Sequence, residues 1–111
     1  MPPITWEDFE QVEIRVGTVL DVQPFPKARK PAYQLTIDFG PHGTRRSSAQ
    51  LTTLYQPPDL LHKQVVAVIN FPPKQVANFF SECLVLGVVG NAGEVVLLRP
   101  DREVENGLRI G

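Results

Sequence analysis

Few side chains in this sequence are set up to make or break a covalent bond. His42 and His62 fall in turn-like stretches twenty residues apart, with no Cys or Asp neighbour at metal-ligand spacing, and read as solvated surface. The single cysteine opens the apolar run Cys83-Leu84-Val85-Leu86, which suits a buried structural thiol better than a nucleophile. Asp38 and Glu82 would do acid–base work only if folding brought them together, and nothing in the pattern does so. A glycine-rich phosphate loop, a nucleophile elbow and zinc-ligand spacing are all missing. The expectation is a non-enzymatic chain with no catalytic residue, no metal ligand and no cofactor.

Binding chemistry is better represented. Net charge is −1, yet seven bases (Lys27, Arg29, Lys30, Arg45, Arg46, Lys63 and Lys74) stand between positions 27 and 74 against two acids, Asp38 and Asp59. The flanking stretches hold ten acids and four bases. The middle of the chain is basic and both ends are acidic, which suits an anionic partner; scattered surface lysines and arginines would give the same count.

The scaffold that must position these residues is small. At 111 residues the chain is expected to form one domain, residues 1–111. Its 42% hydrophobic and 21% charged content is ordinary for a globular fold and argues against disorder. No apolar run approaches the ~20 residues that span a bilayer, so membrane insertion is not expected. The stretch Met1 to Glu7 has neither a basic nor an apolar leader region, and one cysteine allows no internal disulfide. Both fit a reducing, cytoplasmic location.

Eleven prolines fall mostly between apolar runs and punctuate an all-β chain. Thr5-Trp6-Glu7-Asp8 reads as a helix start, with Thr5 as cap and Asp8 reaching back, and the helix closes near Gln11. From Ile14 the period becomes two: Ile14, Val16, Thr18, Leu20 and Val22 alternate with polar neighbours, and Gly17 suggests a bend or bulge. A loop from Pro24 to Pro31 leads to a second strand with Tyr33, Leu35, Ile37 and Phe39 on one face. Thr44 to Leu51 is a polar third strand. Pro57-Pro58-Asp59 opens one helical turn, Gln64 to Phe71 is a buried strand, and Pro72-Pro73 ends it, leaving Lys74 to Phe80 as a loop or single turn. Cys83 to Val89 and Glu94 to Arg99 form the last strands around the turn Gly90-Asn91-Ala92-Gly93. Five or six strands with a helical connector after the third predict a five-stranded OB-type β-barrel, with a two-sheet sandwich as the alternative.

OB barrels bind on the face of strands two and three and in the flanking loops. That face would offer Lys27, Arg29 and Lys30 from the first loop, and Arg45 or Arg46 with Ser48 and Gln50 from the third strand. Five blocks then resemble one family: Ile14-Arg15-Val16-Gly17-Thr18-Val19, Ser47-Ser48-Ala49-Gln50-Leu51-Thr52, Val68-Ile69-Asn70-Phe71-Pro72-Pro73-Lys74, Phe80 to Gly87, and Val95 to Asp101. Their order and spacing are similar to the tRNA-binding domain found free-standing and as an appendage of methionyl-tRNA synthetases. The Ser-Ser-Ala-Gln and Asn-Phe-Pro-Pro blocks point to its CsaA branch of export-related chaperones.

The resemblance implies a homodimer joined through an N-terminal extension, residues 1–12, and a C-terminal one, residues 100–111. Trp6, Phe9, Val104, Leu108 and Ile110 are the apolar residues such a contact would cover. It further implies that Asn70, Phe71, Lys74, Phe79, Phe80, Ser81 and Glu82 lie in the ligand-binding stretch. Cations beside aromatics suit RNA, whose phosphates are neutralised and whose bases stack, and equally suit an extended peptide. The sequence departs from free-standing tRNA binders, which tend to carry Ser-Glu-x-Met where Ser81-Glu82-Cys83-Leu84 stands here, and a single base, Lys74, follows the double proline. Asn78 replaces the glycine usual in the branch, as a residue that tolerates left-handed backbone. The reading is a cytoplasmic chaperone for unfolded or export-bound polypeptides, with a translocation motor as a further partner. The alternative is a tRNA- or RNA-binding protein using the same groove. Arg15 is expected in a structural ion pair.

Overall fold

Thr5 caps the first helix, α1 (Trp6–Glu10). Its hydroxyl accepts from the Asp8 N–H at 3.1 Å, and the Asp8 carboxylate accepts from the Thr5 N–H at 3.0 Å, as the Thr-x-x-Asp spacing predicts. In the computed structural model, which describes residues 1–111, nine strands follow: β1 (Ile14–Pro24), β2 (Tyr33–Asp38), β3 (Thr44–Ala49), β4 (Gln64–Val68), β5 (Lys74–Val76), β6 (Phe79–Ser81), β7 (Leu84–Val85), β8 (Gly87–Val89) and β9 (Val95–Leu97). A one-turn helix, α2 (Pro57–Leu60), lies between β3 and β4 and delivers Leu60 into the core with no exposed surface.

Five strands form one antiparallel sheet in the order β3-β2-β1-β4-β7. It curls until its two edges nearly meet. There the Glu82 N–H donates to the Arg46 carbonyl at 2.7 Å, the Glu82 carboxylate accepts from the Arg46 N–H at 2.9 Å, and the Ser47 hydroxyl donates to the Cys83 carbonyl at 3.1 Å. The result is an OB-type barrel with a short N-terminal helix. Val19, Leu35, Ile37, Phe39, Leu51, Val65 and Ala67 fill it with Leu60.

Four local expectations change. The bulge falls at Leu20, where the β1–β2 register slips between Val19 and Asp21, and not at Gly17. Gly17 instead faces the interior, where an added Cβ would stand 2.6 Å from Ile37 and 2.7 Å from Phe39. Gly17 and Val19 share the inward face, and past the bulge the phase reverses, leaving Leu20 exposed and packing Val22 against the core. Strand β4 stops at Val68, short of Phe71. Beyond Pro73 the chain makes a hairpin of β5 and β6 in place of a loop, turning on Ala77 and Asn78. Ala77, with φ of 53°, takes the left-handed position there and Asn78 does not.

Both extensions are tied to β4 by amides that imitate backbone. Gln64, at one end, donates to the Val104 carbonyl at 2.6 Å and accepts from the Val104 N–H at 3.1 Å. Asn70, just past the other end, accepts from the Glu13 N–H at 2.9 Å and donates to the Gln11 carbonyl at 2.7 Å. The tail runs along the first half of β1, with Gly107 N–H to Val16 carbonyl at 2.7 Å and Ile110 N–H to Ile14 carbonyl at 2.9 Å. Glu13 binds the ends together. Its carboxylate lies 2.7 Å from Arg15 and 3.3 Å from Arg109, and Arg109 also donates to the Glu10 carbonyl at 2.8 Å. Arg15 is thus in a structural ion pair.

Candidate functional site

A groove of about 1020 Å³ opens on one flank of the barrel. One wall is the loop from β1 to β2, with Ala28, Arg29, Lys30 and Ala32; another is the end of β3, with Ser48 and Gln50. Phe71 and Pro72 close one side, and Lys74, Gln75, Val76 and Ala77 run along it. Ser81, Cys83 and Leu84 complete the lining. Arg29, Lys30 and Lys74 are its charged side chains, all exposed, and no carboxylate lines it. Past the end of β4, Pro72 and Pro73 cannot donate to the sheet, and the chain leads directly from them into the β5–β6 hairpin that borders the groove.

A second small core holds that hairpin against the loop. Phe79 is 3% exposed and packs with Phe25 and Ala32, backed by Ala28 and Val76. The Phe25 and Phe79 rings lie 5.3 Å apart at a tilt of 56°, and the Arg46 guanidinium sits 4.3 Å above the Phe79 ring.

Of the residues singled out from sequence, Arg29, Lys30, Ser48, Gln50, Phe71, Lys74 and Ser81 come together along the groove. Seven others stand outside its lining. Lys27 is exposed on the loop. Arg45 turns towards the barrel side, its Nε enclosed without a partner, and Arg46 is held over Phe79. Asn70 secures the N-terminal extension, and Glu82 closes the barrel. Phe79 is core, while Phe80, 56% exposed, is on the other face of the hairpin. Asp38 accepts from the Gly40 N–H at 2.8 Å, so it and Glu82 serve separate stretches of backbone. Burial pushes the Cys83 thiol up to about 11, which leaves it protonated and unreactive at neutral pH.

Sequence reasoning missed Ala28, Ala32, Pro72, Gln75, Val76, Ala77, Cys83 and Leu84 as lining residues, and Phe25 as the anchor of the small core beside them. Most are small or neutral and carry no signal of their own. Phe25, between two prolines, was the one readable hint of a buried anchor inside the loop. At the extensions, Trp6, Phe9, Glu10, Arg109 and Gly111 line a depression of about 480 Å³. Trp6 is 85% exposed there, and Phe9, Val104 and Leu108 also reach solvent.

The barrel, its α2 plug and the loop-flanked groove define an OB-type binding domain. Residues 14–109 match the family model described as "Putative tRNA binding domain". The chaperone CsaA from Bacillus anthracis shares 52% identity over 99% of this chain and 100% of its own, with a TM-score of 0.95. CsaA from Picrophilus torridus shares 49% over 98% and 100%, with a TM-score of 0.91. Methionine–tRNA ligase from Methanosarcina mazei is 33% identical over 110 residues, of which this chain spans 15% of the ligase's length. The chain belongs to the tRNA-binding-domain family, in its CsaA-type branch.

Proposed function

We propose that the chain is a non-enzymatic chaperone, residues 1–111 acting as one domain that holds unfolded or export-bound polypeptides in the groove. The observation that carries this reading is the lining itself: small apolar walls under a rim of Arg29, Lys30 and Lys74, with Phe71 as the exposed aromatic. Apolar walls take side chains of many shapes, and a cationic rim favours segments that carry carboxylates. Likeness to chaperones named CsaA supports the same conclusion. Two copies paired through residues 1–12 and 100–111 would present two such grooves, in the cytoplasm, where a translocation motor is a natural recipient of export-bound clients.

The second reading is tRNA or RNA binding by the same groove, favoured by the family match and by three cations beside Phe71. A salt titration with labelled unfolded protein and labelled tRNA separates the two. Phosphate contacts lose affinity by orders of magnitude between low and moderate salt, whereas apolar contacts hold or strengthen. Polypeptide uptake that survives physiological salt and weakens in Phe71→Ala is expected. Sub-micromolar tRNA binding at that salt, with no uptake of unfolded protein, reverses the assignment.

A further inference from the structure

Strand β5 has one edge paired and one edge free. In the hairpin, Lys74 faces Ser81, Gln75 faces Phe80 and Val76 faces Phe79. With a two-residue turn, Val76 and Phe79 are the hydrogen-bonded closing pair and Gln75 and Phe80 the next, unbonded pair. The Gln75 N–H and carbonyl therefore point away from β6.

That free edge borders the groove. Successive residues of a strand point to opposite faces, so a groove lying on one face of β5 would take alternate residues. This one takes Lys74, Gln75 and Val76 in succession, and then Ala77. A groove running along the edge meets all of them. Ser48 and Gln50, at the end of β3, share the same space, beside three cations and no carboxylate.

We infer that the groove holds its client by strand addition: an extended polypeptide segment bearing acidic residues lays its backbone along β5 and exchanges hydrogen bonds with Gln75. Its carboxylates meet Arg29, Lys30 and Lys74, and its apolar side chains enter between Ala28, Phe71 and Val76. This rests on the polypeptide reading above and adds what is recognised, namely main chain, which every sequence supplies.

The test uses the labelled peptide Ac-Ser-Val-Glu-Val-Asp-Val-Ser-amide, followed by fluorescence anisotropy, and two versions N-methylated on alternate residues. Gln75→Pro removes the outward N–H at a position where an edge strand tolerates proline, and Gln75→Ala removes the side chain alone. Binding should fall about tenfold in Gln75→Pro and stay within about twofold in Gln75→Ala. One methylated version should lose about tenfold and the other much less, because only one alternate set of donors faces β5. If Gln75→Pro loses its fold by circular dichroism, the methylated pair on the unaltered protein decides. Equal binding of all three peptides overturns strand addition and leaves polypeptide binding standing, as does uptake of unfolded protein without uptake of this peptide. Uptake of tRNA alone removes both.

Discussion

Phe79 and Phe80 are neighbours of one residue type with opposite duties. Phe79 closes the small core that holds the hairpin to the loop, and Phe80 faces solvent. Phe79→Ala should therefore cost about 3–5 kcal/mol in urea unfolding, and Phe80→Ala no more than about 0.5 kcal/mol. Equal losses would mean the two side chains share one environment. The sequence placed both in the binding stretch, because a segment read as loop gives no alternation to tell inside from outside. Asn70 and Glu82 carry a related ambiguity. Polar residues beside a binding stretch look like ligand contacts, but their side chains are spent on the Glu13, Gln11 and Arg46 backbone.

Among elements, the core strands were legible wherever alternation ran undisturbed, as in Tyr33, Leu35, Ile37 and Phe39. It failed in β1, where the extra residue at Leu20 reverses the phase and no residue type announces it. The tail's apolar residues stand out in the sequence, yet its hold on β1 is backbone pairing at Gly107 and Ile110, backed by the ion pairs around Glu13. Hydrogen bonding from Arg15 holds the Glu13 carboxyl below the usual carboxylate range, helped by the charges of Arg15 and Arg109. A depressed folded value means the stabilisation is complete above the ordinary glutamate pKa, about 4.3, and disappears as pH falls through the lower folded one. Melting temperatures should thus be lower for Glu13→Gln than for the unaltered protein at pH 7, and the gap should close below about pH 4. A gap that persists at pH 2 would show that shape, not charge, ties down the tail.

For the molecule as a whole, the sequence foretold an OB-type barrel with added ends, since strand count and the helical connector are composition-level signals. The groove's cations were legible too. Its small walls were not, because they acquire meaning only when the hairpin folds beside the loop. Trp6 stands 85% exposed among other apolar residues of both extensions, which is costly for a lone subunit. Sedimentation at micromolar concentration should show a dimer, and Trp6→Asp should shift it to folded monomer. A monomeric unaltered protein would remove the paired arrangement while leaving each groove intact. Because Arg109 grips the Glu10 carbonyl, the first helix and the last residues of the chain meet over a single depression. A purification tag or carrier protein fused after Gly111 would crowd Trp6 and mimic a loss of self-association. Labels are better attached at the Asn91–Gly93 turn, where they would leave that corner of the surface uncovered.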